Sequence, residues 1–138
     1  MALESAFLAM MMIIVLNMVS GSEGNESSSP MWWIVFSALV LAPLSETILC
    51  QVIPVGIIRK LRGGFWAQVM FSNMIFAILH FWILGFIPGM TAGLIGGFYF
   101  GFTYVHWRRK GIGPAYWSTA LVHFLYNFVI LTAFILGG

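Results

Sequence analysis

Residues 31–58 read MWWIVFSALVLAPLSETILCQVIPVGII, an apolar run whose one charged side chain is Glu46. A bilayer-spanning helix needs about 20 apolar residues, so this run suffices, with an excess that a tilt or kink takes up. Pro43 and Pro54 lie inside it. Pro43 removes a backbone donor and bends the helix three residues ahead of Glu46, opening it toward a cavity. An acid at the centre of a membrane helix costs about 2.5–3.5 kcal/mol on insertion scales, and such groups face a bundle interior or a wet cavity. The stretch therefore reads as a membrane helix that carries a carboxylate inward.

The rest of the chain agrees. Of its 138 residues, 61% are hydrophobic and 7% are charged, against about 25% charged in a typical soluble domain, and the mean hydropathy is +0.98. Six Lys and Arg against four acids leave a net charge of +2, which excludes a nucleic-acid footprint. Apolar stretches at 3–19, 31–58, 65–87, 90–107 and 115–136 predict an all-α, polytopic membrane bundle of about five transmembrane helices. The first stretch has no Lys or Arg ahead of it, only Glu4, and so reads as a retained helix in preference to a cleaved signal. The loop GSEGNESSSP that follows divides the chain into residues 1–30, a helix with a polar loop, and residues 31–138, a core of four helices. Asn25-Glu26-Ser27 within it fits a glycosylation sequon, which carries meaning only in a eukaryotic secretory pathway. The expected location is a bacterial or archaeal cell membrane. Cys50 is the single cysteine, so the chain has no internal disulfide or thiolate cluster.

All six basic residues fall in two connections, Arg59, Lys60 and Arg62, and Arg108, Arg109 and Lys110. The positive-inside rule puts both in the cytoplasm, with the amino terminus inside and the carboxyl terminus outside. The tryptophans at 32, 33, 66, 82, 107 and 117 lie near predicted helix ends, as an aromatic belt requires. Gly93, Gly97 and Gly101 are spaced four apart and form a small-residue ridge for close helix packing.

Glu46, His80, His123 and Asn127 are the candidate site. Counted from the cytoplasmic ends at 1.5 Å per residue, they lie about 20, 24, 14 and 20 Å deep, so three helices bring polar groups to one level. A carboxylate beside an imidazole can hold and deprotonate a water. A second imidazole with a side-chain amide one turn on can donate to the oxyanion formed at an attacked carbonyl. His2Glu is also a catalytic zinc set, although no HExxH helix is present, and His80 with His123 could ligate a haem. His106 sits beside Trp107 and Arg108 and reads as an interfacial residue.

The stretches APLSETILCQ (42–51), FAILH (76–80) and HFLYN (123–127) resemble the motifs of the CPBP intramembrane proteases, also called the Abi or CAAX prenyl endopeptidase family. The family pattern is E-E-x-x-x-R, then F-x-x-x-H, then H-x-x-x-N, and the resemblance covers about residues 31 to 132. It implies a glutamic-type intramembrane endopeptidase acting on a membrane-associated protein or peptide, needing no cofactor, with zinc at Glu46, His80 and His123 the lower-ranked possibility. Glu46 and His80 would activate water, His123 and Asn127 would stabilise the oxyanion, and Phe76, Thr47 and Gln51 would support them from behind. The chain departs from the pattern where Thr47 replaces the second Glu and Gln51 the Arg, a neutral pair expected to hydrogen-bond at the same i, i+4 spacing. The competing functions are a haem-binding membrane protein and an inactive scaffold or immunity protein.

Overall fold

The computed structural model describes residues 30–84 and 86–137; the first predicted span, the polar loop and the sequon lie outside the described residues. Four helices make up the described chain: α1 Met31–Lys60, α2 Phe65–Leu84, α3 Phe86–Trp107 and α4 Ile112–Gly137. A short 3-10 turn, Arg108–Lys110, joins the last two. No strand occurs among the described residues. Two of the helices, α1 and the Phe65–Trp82 part of α2, are long and apolar enough to cross a membrane. The helices begin and end close to the sequence-predicted spans. The exceptions are α3, which starts at Phe86 instead of 90, α4, which starts at Ile112 instead of 115, and α2, which ends at Leu84 instead of 87. Pro114 explains the second difference, because a proline fits the first turn of a helix, where its missing N–H would have no partner.

The distribution of side chains is that of a protein in lipid. Ser37, Ser45, Thr47, Gln51, Ser72, Thr119 and His123 are buried, while Ile57, Met70, Trp82, Ile95, Leu121 and Val129 lie on the outside. In water this arrangement would expose apolar surface and desolvate polar groups at once; in hydrocarbon both preferences reverse.

Helix α1 is not a regular helix. Its prolines do more than bend it. The turns Ser37–Leu41 and Thr47–Val52 are widened to π geometry, each just ahead of a proline, where extra width relieves the clash between the ring and the preceding turn. In the first, the Ala42 N–H reaches back five residues to the Ser37 carbonyl. Pro43 is next in that register and has no N–H to give to Ala38. Asn127 of α4 fills the position, its Nδ2 donating to the Ala38 carbonyl at 2.9 Å. In the second π turn Ser72 of α2 donates to the Cys50 carbonyl, four residues ahead of Pro54, at 2.7 Å. The Tyr116 hydroxyl of α4 donates to the Leu44 carbonyl at 3.2 Å. Irregular backbone at membrane depth is tolerated where neighbouring helices satisfy it, and here they also tie α1 to α2 and α4.

α2 and α3 form the most extensive helix pair, and the glycine ridge is its contact line. A Cβ on Gly93 would stand 2.8 Å from the Ala77 Cα and 3.2 Å from the His80 Cβ; one on Gly97 would stand 2.6 Å from the Asn73 Oδ1 and 3.0 Å from the Phe76 Cβ. One on Gly101 would meet the Val69 carbonyl at 3.1 Å. Backbone thus packs on backbone, and the residues it presses against include Phe76 and His80.

Gly93→Ala forces α2 and α3 apart, because the atom it meets is main chain and cannot swing away. We expect a loss of about 1–3 kcal/mol of stability, which exceeds the gain of about 1 kcal/mol in helix propensity. Gly56→Ala on α1 is the matching control. A Cβ there meets nothing within 4 Å, so only the propensity gain remains and stability rises. Thermal unfolding of the two variants in one detergent checks the opposite signs.

Candidate functional site

Glu46 is the last residue of a short α-helical segment, Ala42–Glu46, set between the two π turns of α1. Its Oε2 lies 3.6 Å from the His123 Nε2 and 3.9 Å from the His80 Nε2. The three side chains come from α1, α4 and α2, so the equal depth inferred from counting residues corresponds to convergence in space. Their exposure differs: the side chains of Glu46 and His80 are 18% and 19% accessible, while that of His123 is 2%. The Glu46 and His80 side chains are therefore partly open to the outside of the bundle, although the Glu46 Oε2 itself is buried, and His123 is enclosed.

Each imidazole is held from its face. His80 stacks on Phe76, with ring centroids 4.0 Å apart and planes at 20°, and His123 stacks on Phe100 at 4.1 Å and 24°. Phe76 also meets His123 edge-on at 5.6 Å and Phe100 at 5.3 Å, so the two phenyl rings and two imidazoles form one block. The F-x-x-x-H spacing thus supports its histidine twice. Phe76 supplies the stacking ring, and its main-chain carbonyl accepts a hydrogen bond from the His80 Nδ1 at 3.0 Å. A carbonyl can only accept, so the Nδ1 carries the proton. In the neutral ring the Nε2 that faces Glu46 then presents a lone pair.

Asn127 stands one turn after His123 on α4, with its amide committed in part to the Ala38 carbonyl. The neutral pair does not behave as its spacing suggested. Thr47 and Gln51 are both fully buried, but neither the Thr47 Oγ1 nor either amide atom of Gln51 has a hydrogen-bond partner among the described residues. The expected hydrogen bond between them is absent. Their positions fall in the π turn, where side chains no longer follow the α-helical period on which the i, i+4 expectation rests.

Phe100 and the pairing of Asn127 with Ala38 escaped the sequence reading. Phe100 lay in plain view within the glycine ridge, three residues after Gly97 and hence on the packed face. The Ala38 contact had only the indirect signal of Pro43, which frees a carbonyl upstream without indicating its donor. His106 is exposed and stacks on Phe102 at 6.2 Å, as an interfacial residue would. Cys50 is buried and free.

Among the described residues, no three His, Cys, Asp or Glu side chains stand where they could hold a metal ion together. Zinc ligation requires donors about 2.0–2.2 Å from one centre. Both imidazole edges point at the same carboxylate oxygen, with a phenyl ring on a face of each.

Two imidazoles, one from α2 and one from α4, thus face a single carboxylate oxygen of α1, a grouping able to hold and deprotonate a water. The chain belongs to the Rce1-like family, described as type II CAAX prenyl endopeptidase Rce1-like, whose family model matches residues 28–129. The matched region takes in Glu46, His80, His123 and Asn127. No curated protein and no solved structure matches the chain.

The Asn127–Ala38 bond makes its own demand on stability. Asn127→Leu strands the Ala38 carbonyl inside the bundle, and we expect it to cost about 1–2 kcal/mol, toward the upper end for a hydrogen bond between membrane helices. Unfolding by denaturant in mixed micelles checks this, against Asn127→Ser, which keeps a donor.

Proposed function

We propose that this chain is a glutamic-type intramembrane endopeptidase that cuts a peptide bond of a membrane-associated protein or peptide, with Glu46 as its general base. The observation that carries the reading is the contact of the His80 Nδ1 with the Phe76 carbonyl at 3.0 Å. With the His80 Nδ1–H on the Phe76 carbonyl, a lone pair at the Nε2 faces an acceptor oxygen of Glu46 across 3.9 Å. Two acceptors at that separation suit a water that donates one hydrogen to each and keeps its own lone pair free to attack.

Attack on the substrate carbonyl carbon passes one water proton to Glu46 and leaves the carbonyl oxygen negative. His123 and the second Asn127 Nδ2 hydrogen, the first being on Ala38, donate to that oxyanion. Collapse of the intermediate breaks the C–N bond as the proton held by Glu46 moves to the leaving amine. No metal enters these steps. Phe76 and Phe100 hold the imidazoles in register, and the ties of α1 to α2 and α4 hold Glu46 against them. An apolar groove of about 280 Å³ runs between α1 and α4, bounded by Pro43 and Leu44 on one side and Ala120 and Phe124 on the other. These residues flank Glu46 and His123 within one turn, so the groove is suited to an apolar segment of the substrate.

The same reading takes the chain as a multi-pass protein of about five spans in a bacterial or archaeal cell membrane, with residues 1–30 contributing the first. Both basic connections face the cytoplasm. Leu61 and Ile112 border these connections and are exposed, and replacing them leaves every basic residue in place. Cysteines at 61 and 112 in a Cys50→Ala background should react with an impermeant thiol reagent only after the membrane is opened. Labelling of intact cells would reverse the orientation.

Glu46→Gln keeps the shape of the side chain but cannot take the proton. Turnover of a cleaved membrane peptide should fall by about 100- to 10,000-fold while the protein remains folded by thermal unfolding. Near-normal turnover would make Glu46 structural. Activity should survive a chelator, and elemental analysis should find no stoichiometric zinc; one equivalent lost and restored together with activity would replace this mechanism by a zinc-dependent one.

A further inference from the structure

Hydrolysis consumes one water per turnover, and this site lies at the depth of the hydrocarbon. We propose that Thr47 and Gln51 hold ordered water beside Glu46 and supply it to the reaction. The proposal rests on the reading of Glu46 as general base.

Five polar atoms carry the argument. The Thr47 Oγ1, the Gln51 Oε1 and Nε2, the Glu46 Oε2 and the His123 Nδ1 are all buried without a hydrogen-bond partner among the described residues. Thr47 and Gln51 are 0% exposed, follow Glu46 along one π turn, and lie where α1 packs against α2, α3 and α4. Unpaired polar atoms at such burial are costly, and native proteins satisfy nearly all of them. The hydroxyls of Ser72 and Thr119 are committed elsewhere, to the carbonyls of Cys50 and Ala115.

The chemistry of the unpaired set selects the ligand. Within it, the Thr47 hydroxyl and the Gln51 amide carry no charge and each offers a donor and an acceptor, so the molecule they hold both donates and accepts. Complete burial of both side chains restricts the ligand to a small molecule. A neutral small molecule that donates and accepts, with two to four polar partners, is water. Held next to Glu46, such a water moves into the gap between the Glu46 Oε2 and His80 Nε2. There its oxygen forms the new bond to the carbonyl carbon, one proton goes to Glu46 and then to the departing amine, and the other stays on the new carboxyl group. Thr47 and Gln51 are positioning residues in this scheme; they touch the water and not the substrate.

Stability and rate together test the proposal. In a dry site, Thr47→Val and Gln51→Leu delete unpaired polar groups and should raise Tm. In a hydrated supply site neither variant raises Tm, kcat falls roughly tenfold, equivalent to one lost hydrogen bond at the transition state, and KM stays within about twofold because no substrate contact is lost. Thr47→Ser restores the hydroxyl and with it kcat. A rise in Tm, or kcat within twofold of wild type in both variants, overturns the proposal. If either variant fails to fold, a wild-type structure at a resolution that shows waters decides the matter: density within hydrogen-bond reach of the Thr47 Oγ1 and the Gln51 amide is expected, and its absence is refutation. Glu46→Gln separates the two levels, since full activity in that variant defeats the general-base reading itself, whereas an inactive Glu46→Gln beside unaffected Thr47 and Gln51 variants defeats only the water supply.

Discussion

Everything around Glu46 depends on how α1 copes with two prolines in a medium that offers no water to a free carbonyl. A proline inside a membrane helix leaves a backbone acceptor unpaired, and hydrocarbon makes that costly. The chain answers by widening the turns at Ser37–Leu41 and Thr47–Val52 and by sending Asn127 and Ser72 from other helices to the Ala38 and Cys50 carbonyls. These bonds act as crosslinks. They bring α2 and α4 against the segment that carries Glu46, and α2 and α4 are the helices that carry His80 and His123. The defect in one helix and the assembly of the polar cluster are therefore the same physical event.

The glycine ridge supplies the second half of the construction. Without a hydrophobic effect to press helices together in lipid, close approach of backbones and the resulting dispersion contact take its place. At Gly93 the approach is close enough that a methyl group has no room against the Ala77 main chain, and at Gly97 one would press on the Asn73 and Phe76 side chains. What this closeness positions is aromatic: Phe76 against Gly97, and through it His80 and His123. Scaffold and site are linked through Phe76, through the His80 Cβ that faces Gly93, and through Phe100 stacked on His123. A change on the ridge will therefore be felt at the imidazoles, although no ridge residue belongs to the polar cluster.

The Thr47 and Gln51 pair shows how a departure from a family pattern can be coherent. Where the pattern has an acid and a base that can satisfy one another, this chain has two neutral polar groups, both fully buried and unpaired among the described residues. Losing both charges together avoids a lone buried charge, which would be far more costly than two unpaired neutral groups. It also leaves Glu46 as the only acidic side chain among the described residues, bordered by groups able to bind water.

The sequence by itself determined the helices, because hydrophobic runs of membrane length and the positions of proline, glycine and tryptophan report on local physics. Those runs located α1 to α4 to within a few residues. The sequence also determined which residues were out of place: Glu46, His80, His123 and Asn127 stand out against an apolar background that penalises each of them. Tertiary structure alone decided their partners. Nothing local to HFLYN indicates that Asn127 donates to Ala38, 89 residues away, or that His123 comes as near to Glu46 as His80 does. Nor does the i, i+4 spacing of Thr47 and Gln51 reveal that they remain unpaired, because that spacing has its usual meaning only in a regular α-helix, and the regularity is lost ahead of Pro54. A period along the chain specifies which face a side chain takes, but the atom it meets there is set by the packing of other helices.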